Sequence, residues 1–89
     1  MMDKPVLFFA ETCPDTAPFV ARLQELGVQY EPVEIQSSLG NLKRFLALRD
    51  SRAEFEAVKA RGAIGVPALL LDNDNVVLDV EGLVEVFAK

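Results

Sequence analysis

The sequence has no histidine, no tryptophan and a single cysteine, Cys13. One cysteine without histidine excludes an intrachain disulfide, the usual cysteine and histidine zinc sites, and cysteine–histidine or serine–histidine catalytic pairs. Basic residues are also few, because nine lysines and arginines stand against 14 acidic residues and leave a net charge of −5. This balance argues against general binding to nucleic acid or to anionic membranes.

Long apolar runs are missing as well. The opening stretch, MMDKPVLFFA, carries only a short apolar run, which suits neither a signal peptide nor a membrane span. We therefore expect a cytoplasmic protein with no nucleic-acid or membrane partner. The 89 residues, of which 51% are hydrophobic, predict one compact domain over residues 1–89, present as a monomer or a weak dimer.

The basic residues that are present cluster in the middle of the chain. Six of the nine lie between positions 43 and 61, interleaved with acidic residues: Lys43, Arg44, Arg49, Arg52, Lys59 and Arg61. A solvated helix face is the simpler interpretation of this pattern. An anion-binding surface is the alternative.

Hydrophobic periodicity predicts the element order β-α-β-α(α)-β-β-α. PVLFFA indicates a central strand buried on both faces, and residues 14–27 indicate a helix that ends at Gly27. VQYEPVEI indicates a strand that Pro32 confines to a sheet edge. Residues 39–61 indicate two helices, the second opened by a capping box of Ser51 and Glu54. VPALLLDNDNVVLDV predicts a β-hairpin and residues 82–89 a closing helix, so that we expect a four-stranded mixed sheet with helices on both faces.

Cys13 lies in ETCPDTAP, between the first strand and the first helix. The thiolate is the reactive form of cysteine, and the free N–H groups of a helix N-terminus stabilise it. Thr16, one turn further on, is placed to donate its hydroxyl or its amide to the sulfur. Glu11 and Asp15 oppose the thiolate, however, and a lone cysteine can also serve as a small apolar core residue.

The start of the first helix decides how strongly the helix acts on Cys13. Pro18 favours a start near Asp15, since proline is tolerated in the first turn and disrupts the interior. The capping-box spacing of Thr12 and Asp15 favours a start at Cys13 itself. The sequence leaves both starts open.

Two stretches, VLFFAETCPDT and GAIGVPALLLDN, resemble the glutaredoxin branch of the thioredoxin superfamily, and the element order agrees over essentially the whole chain. The resemblance implies a thioredoxin-like fold in which Cys13 is the nucleophile and Pro67 is a cis-proline opposite it. It also implies that an extended thiol substrate pairs with the backbone of Val66. The site residues expected on this basis are Cys13 and Thr16 for catalysis, and Thr12, Pro14, Arg61, Val66, Pro67, Glu81 and Gly82 for substrate binding.

The chain departs from the glutaredoxin pattern at three places. Thr16 replaces the resolving cysteine of dithiol members, so the implied chemistry is monothiol. Ala10 stands three residues before Cys13, where glutaredoxins often carry a lysine. The final stretch, VEGLVEV, keeps only Gly82 of the glycine pair and aspartate that hold the amino end of glutathione, with Glu81 or Glu85 as substitutes.

The resemblance implies a monothiol thiol–disulfide oxidoreductase that acts on glutathione mixed disulfides through Cys13, with glutathione or a protein thiol as partner and no metal. A non-catalytic module that binds glutathione or an extended peptide between Cys13 and Pro67 is the alternative. A third option, drawn from other monothiol glutaredoxins, is an iron–sulfur cluster held by Cys13 of two chains and two glutathiones. GVPALLLDNDNVVLDVEGLVEVFA also resembles the amino-terminal domain of glutathione transferases.

Overall fold

The computed structural model describes residues 4–71, 73 and 75–87, and these residues form an α/β fold in the predicted element order. The elements are β1 (Val6–Phe9), α1 (Thr16–Glu25), β2 (Glu31–Glu34), α2 (Leu39–Ser51), a 3₁₀ turn (Ala53–Phe55), α3 (Glu56–Ala60), β3 (Ala68–Leu70), β4 (Val76–Val77) and α4 (Val80–Phe87). None of these helices is both long and apolar enough to cross a membrane.

The sheet is mixed, with the strand order β2-β1-β3-β4. β1 pairs parallel with β2 and antiparallel with β3, and β3 pairs antiparallel with β4. The prediction of a central first strand and an edge second strand is confirmed. Pro32 is exposed on that edge strand. Proline lacks the N–H that a central strand needs, and an edge strand tolerates this loss.

The core lies on both faces of the sheet because successive side chains of β1 point in opposite directions. Leu7 belongs to one buried cluster, together with residues of α1, β3 and α4: Phe19, Leu23, Leu69 and Leu83. Phe8 belongs to the other, together with residues of β2, α2 and the 3₁₀ turn: Val33, Phe45, Leu48 and Phe55. This two-sided burial explains why the first strand is a continuous apolar run rather than an alternating one.

Gly27 ends the first helix as the sequence predicts. Its φ of 70° lies in the left-handed region, and its N–H donates to the Gln24 carbonyl at 3.1 Å. The Val28 N–H donates to the Leu23 carbonyl at 3.0 Å, which completes a Schellman motif.

The predicted capping box at the start of the second middle helix is wrong. Ser51 is the last residue of α2, and its hydroxyl donates to the Leu48 carbonyl, one of the carbonyls that a helix end leaves without a partner. Arg52 is extended, with φ −111° and ψ 134°, and separates α2 from the 3₁₀ turn. The Glu54 carboxylate accepts from the Val76 N–H at 3.3 Å instead of closing back on Ser51.

The hairpin and the closing helix occupy the predicted places, with one shift. The Leu71 N–H donates to the Asn75 carbonyl at 2.8 Å across the turn, of which Asp72 and Asp74 lie outside the described residues. α4 begins at Val80, two residues before the predicted start, and positions 88 and 89 of the predicted helix also lie outside the described residues.

Candidate functional site

The neighbouring strands β1 and β3 bring Cys13 next to Val66, although 53 positions separate the two residues in the sequence. The Cys13 Sγ lies 3.8 Å from the Val66 carbonyl oxygen, toward which the thiol donates. The peptide bond between Val66 and Pro67 is cis. Cys13 is partly exposed, and its N–H donates to the Ala10 carbonyl at 3.0 Å, which closes the turn that follows β1.

Cys13 opens onto a cleft of about 660 Å³, a size typical of ligand sites in proteins. Thr12 and Cys13 line it from the turn after β1, residues 63–67 line it from the segment before β3, and Asp79 and Val80 line it from the start of α4. The cleft thus brings together five of the expected site residues: Thr12, Cys13, Arg61, Val66 and Pro67. It does not include four others: Pro14, Thr16, Glu81 and Gly82.

α1 begins at the later of the two starts that the sequence allows. Thr16 is its first residue, so that Pro18 falls in the first turn, and Asp15 caps the helix without a side-chain hydrogen bond. The Thr16 hydroxyl donates to the Ala10 carbonyl at 2.8 Å, and its amide donates to the Cys13 carbonyl at 3.1 Å. Both donors of Thr16 are therefore directed at the backbone and not at the sulfur.

Asp79 is a residue of the cleft that sequence reasoning missed. Its Oδ1 accepts from the Gly82 N–H at 2.6 Å, the geometry of an aspartate that caps the N-terminus of α4. Glu81 is exposed and does not line the cleft, whereas Gly82 packs against Val77 and Asp79. The available signal was the position of Asp79 just before an apolar helix, which is typical of an N-cap.

Arg61 reaches the cleft because the chain turns sharply after α3. Gly62 adopts a φ of 73°, and the Ala63 N–H donates to the Val58 carbonyl at 3.0 Å. The Ala63 carbonyl in turn accepts from Nη2 of Arg49 at 2.7 Å, so that α2 holds this segment in place.

Other basic residues of the middle segment form surface pairs. Arg44 lies 3.4 Å from the Glu31 carboxylate and 5.7 Å from the centre of the Phe8 ring. The Lys59 ammonium lies 2.8 Å from the Glu56 carboxylate, and its hydrogen bond and charge lower the pKa of that carboxyl from 4.5. These contacts fit a solvated helix face.

The donor set of the described residues offers no metal centre: across 4–71, 73 and 75–87, no group of three or more cysteine, aspartate or glutamate side chains is arranged to hold an ion. What the cleft does offer is a thiol, the backbone of residues 63–66, one guanidinium from Arg61 and carboxylates from Asp15 and Asp79. Such a set can bind a small extended molecule that carries a thiol and charges of both signs.

The element order and the mixed four-stranded sheet form an α/β, thioredoxin-like fold. A crystal structure of a glutathione transferase homologue from Sulfitobacter, with bound glutathione, matches 98% of this chain with a TM-score of 0.55 at 21% identity. The chain spans 36% of the length of that protein. No protein-family profile matches the chain.

By sequence, the chain belongs to the same family as an uncharacterized protein of Haemophilus influenzae. The two sequences are 63% identical over 86 residues, which cover 97% of this chain and 100% of the Haemophilus protein.

Proposed function

We propose that the protein is a monothiol thiol–disulfide oxidoreductase of glutaredoxin type, cytoplasmic, which acts on glutathione mixed disulfides through Cys13. The observation that carries the proposal is the distance of 3.8 Å between the Cys13 Sγ and the Val66 carbonyl oxygen at an open cleft. An extended thiol compound that pairs with the backbone at Val66 would bring its sulfur against Cys13.

The charges of the cleft support glutathione as the ligand. Glutathione carries two carboxylates and one ammonium group, and the cleft presents Arg61 for a carboxylate and Asp79 for the ammonium. The Sulfitobacter glutathione transferase homologue of the same fold contains bound glutathione, which is consistent with this choice.

The proposed reaction has two exchange steps. The Cys13 thiolate attacks the glutathione sulfur of a mixed disulfide, a new disulfide forms, and the substrate leaves as a thiolate that takes a proton from solvent. A second glutathione thiolate then attacks the glutathione sulfur bound to Cys13, which releases the Cys13 thiolate and glutathione disulfide. The resolving thiol comes from outside because the chain has one cysteine. Thr16 contributes as a positioning residue, since its hydroxyl holds the turn that carries Cys13.

The test combines an adduct measurement with a turnover assay. Reduced protein incubated with glutathione disulfide should gain one glutathione, detected by mass spectrometry of the intact chain and lost in Cys13→Ser. Turnover of a glutathionylated peptide should be followed through glutathione reductase and NADPH. Folded wild-type protein that forms no adduct and gives no turnover above Cys13→Ser would overturn the proposal.

A second candidate, a non-catalytic module that binds glutathione or an extended peptide in the same cleft, is favoured by a specific observation. The Cys13 thiol donates to the Val66 carbonyl, and the hydroxyl and amide of Thr16 donate to backbone carbonyls. Neither donor of Thr16 is therefore directed at the Cys13 sulfur, where it would stabilise a thiolate. For this candidate, Cys13→Ala should bind glutathione as tightly as the wild-type protein in calorimetry while neither protein turns over substrate. Turnover by the wild-type protein decides for the enzyme.

A further inference from the structure

A second cavity, of about 530 Å³, lies between α2 and residues 62–64, and we call it the apolar groove. Its aliphatic walls come from five residues: Ile35, Leu39, Leu42, Leu46 and Ile64. Leu39 is 73% exposed and Ile64 is 59% exposed. Single exposed aliphatic residues are ordinary on protein surfaces, but a cluster around a cavity is typical of a binding site.

The apolar groove adjoins the cleft. Gln36, Ala63 and Ile64 line both cavities, and residues 63–66 border the path from the groove to Cys13. A ligand that pairs with the backbone at Val66 and continues alongside residues 63 and 64 therefore enters the groove.

The charges around the apolar groove restrict what can fill it. Its lining contains no acidic side chain, although the chain as a whole carries a net charge of −5. The charged residue of the lining is Arg49, whose buried Nε has no hydrogen-bond partner and whose Nη2 donates to the Ala63 carbonyl. An occupant with an aliphatic side chain and a neighbouring acidic group complements this lining, and a basic occupant does not.

We infer that the cleft and the apolar groove together accept a cysteine within an extended protein segment that carries a large aliphatic residue two positions after the cysteine. Free glutathione has no aliphatic side chain to fill the groove. A segment antiparallel to residues 63–66 runs toward its own C-terminus as it approaches Ile64, and side chains two positions apart share a face of an extended chain. The inference rests on the proposed function of the cleft as a thiol site.

The test measures peptide binding without thiol exchange. In Cys13→Ser, fluorescence anisotropy should show that a labelled peptide Gly-Cys-Ala-Leu-Glu-Gly binds at least about fivefold more tightly than a peptide with Asn for Leu. It should also bind more tightly than a peptide with Lys for Glu, and than one in which Leu precedes the cysteine by two positions. Equal affinities for the Leu, Asn and reversed peptides would overturn the inference.

Matched variants locate the effect in the groove. Leu39→Ser with Leu46→Ser should abolish the preference for Leu over Asn, because both side chains line the groove and are exposed. Val84→Ser with Val86→Ser should leave it unchanged, since these residues of α4 are also exposed apolar side chains but lie outside both cavities. A preference that survives the leucine substitutions contradicts the inference.

The outcomes also separate this inference from the proposed function. Wild-type protein that forms the glutathione adduct but shows no peptide preference refutes the groove and leaves the oxidoreductase standing. A peptide preference without adduct or turnover refutes the oxidoreductase and supports the groove. If sedimentation shows a dimer that Leu39→Ser with Leu46→Ser dissociates, and no peptide binds, a second copy covers the groove and the inference is wrong.

Discussion

At the scale of single residues, Thr16 shows how one side chain can take a different role from the one its position implies. Dithiol glutaredoxins, which the sequence resembles, carry a second cysteine at the corresponding position, and from the sequence we expect a hydroxyl directed at the sulfur. The structure buries Thr16 and directs its hydroxyl to the Ala10 carbonyl, 2.8 Å away. Because the Cys13 N–H donates to the same carbonyl, one acceptor joins the end of β1, the cysteine and the start of α1.

Replacing Thr16 by valine should therefore destabilise the protein. The change keeps the shape of the side chain and removes a buried donor, which typically costs about 1–2 kcal/mol in the free energy of unfolding. Urea unfolding measures the loss. Thr12→Val is the matched control, since the Thr12 hydroxyl makes an exposed hydrogen bond to Gln36, and its unfolding midpoint should stay close to that of the wild type. Equal losses in both variants would contradict this role for Thr16.

The sequence predicted the meeting of Cys13 and Val66 but not the orientation of Thr16, for a physical reason. Residues at the end of one strand and the start of its antiparallel neighbour share an edge of the sheet, so the pairing of β1 with β3 places them together. The partner of a hydroxyl depends instead on which carbonyls a turn leaves available. In the folded turn the Ala10 carbonyl accepts from both the Cys13 N–H and the Thr16 hydroxyl.

At the scale of elements, the helix ends are where sequence and structure differ most. Gly27 has one conformational role and was predicted correctly, whereas Ser51 and Glu54 each have several potential partners. Ser51 bonds within its own helix, and Glu54 reaches Val76 on β4, 22 positions away in sequence. Local spacing cannot foresee such a distant partner, and the capping box fails for that reason.

Two helical glycines should respond in opposite ways to alanine. A Cβ on Gly82 of α4 would lie 2.9 Å from Cγ1 of Val77 and 3.0 Å from Oδ1 of Asp79, the oxygen that caps the helix. A Cβ on Gly40 of α2 meets only Ser38 Oγ, at 3.8 Å. Gly40→Ala should raise the thermal midpoint, since alanine favours a helix by roughly 0.5–1 kcal/mol, and Gly82→Ala should lower it. Calorimetry of the two variants checks the contrast, and a stabilised Gly82→Ala would disprove it.

The pair of Glu56 and Lys59 on α3 predicts a pH dependence. The hydrogen bond and charge of Lys59 lower the pKa of Glu56 in the folded protein from 4.5. A lowered pKa stabilises the fold above pH 4.5, and this contribution disappears as the pH falls through the folded value. Glu56→Gln should therefore melt below the wild type at pH 7, by a small amount because Glu56 is exposed, and the difference should vanish in acid. A difference independent of pH would contradict the pairing.

At the scale of the whole molecule, the sheet separates two apolar clusters, and the binary pattern of the sequence was sufficient to predict this layering. Continuous apolar runs mark strands covered on both faces, and helical periodicity marks the covering layers. The location of the cleft required more, because it combines the turn after β1, the segment before β3 and the start of α4. The start of α4 was not predicted correctly, because the capping residue Asp79 places it two residues before the predicted position.

The cluster around Phe45 should be critical for folding. Phe45 is fully buried, with ring centres 5.7 Å from Phe8 and 5.9 Å from Phe55. Phe45→Ala should reduce the free energy of unfolding by about 3–5 kcal/mol, a large part of the 5–15 kcal/mol typical of a domain. Leu46→Ala, at the next and exposed position, should cost less than about 1 kcal/mol. Denaturant titration of both variants checks the ratio, and similar losses would show that the helix faces the core differently.

Gly65 connects this core to the cleft. Its φ is 103°, and a Cβ there would lie 3.0 Å from the Phe55 ring and 3.2 Å from Val58, so that any side chain at this position is strained. The adjacent Ile64 is 59% exposed and contacts both cavities. Among descendants of this chain we therefore expect glycine to persist at position 65, whereas a substitution at position 64 can reshape the lining of both cavities without disturbing the core behind it.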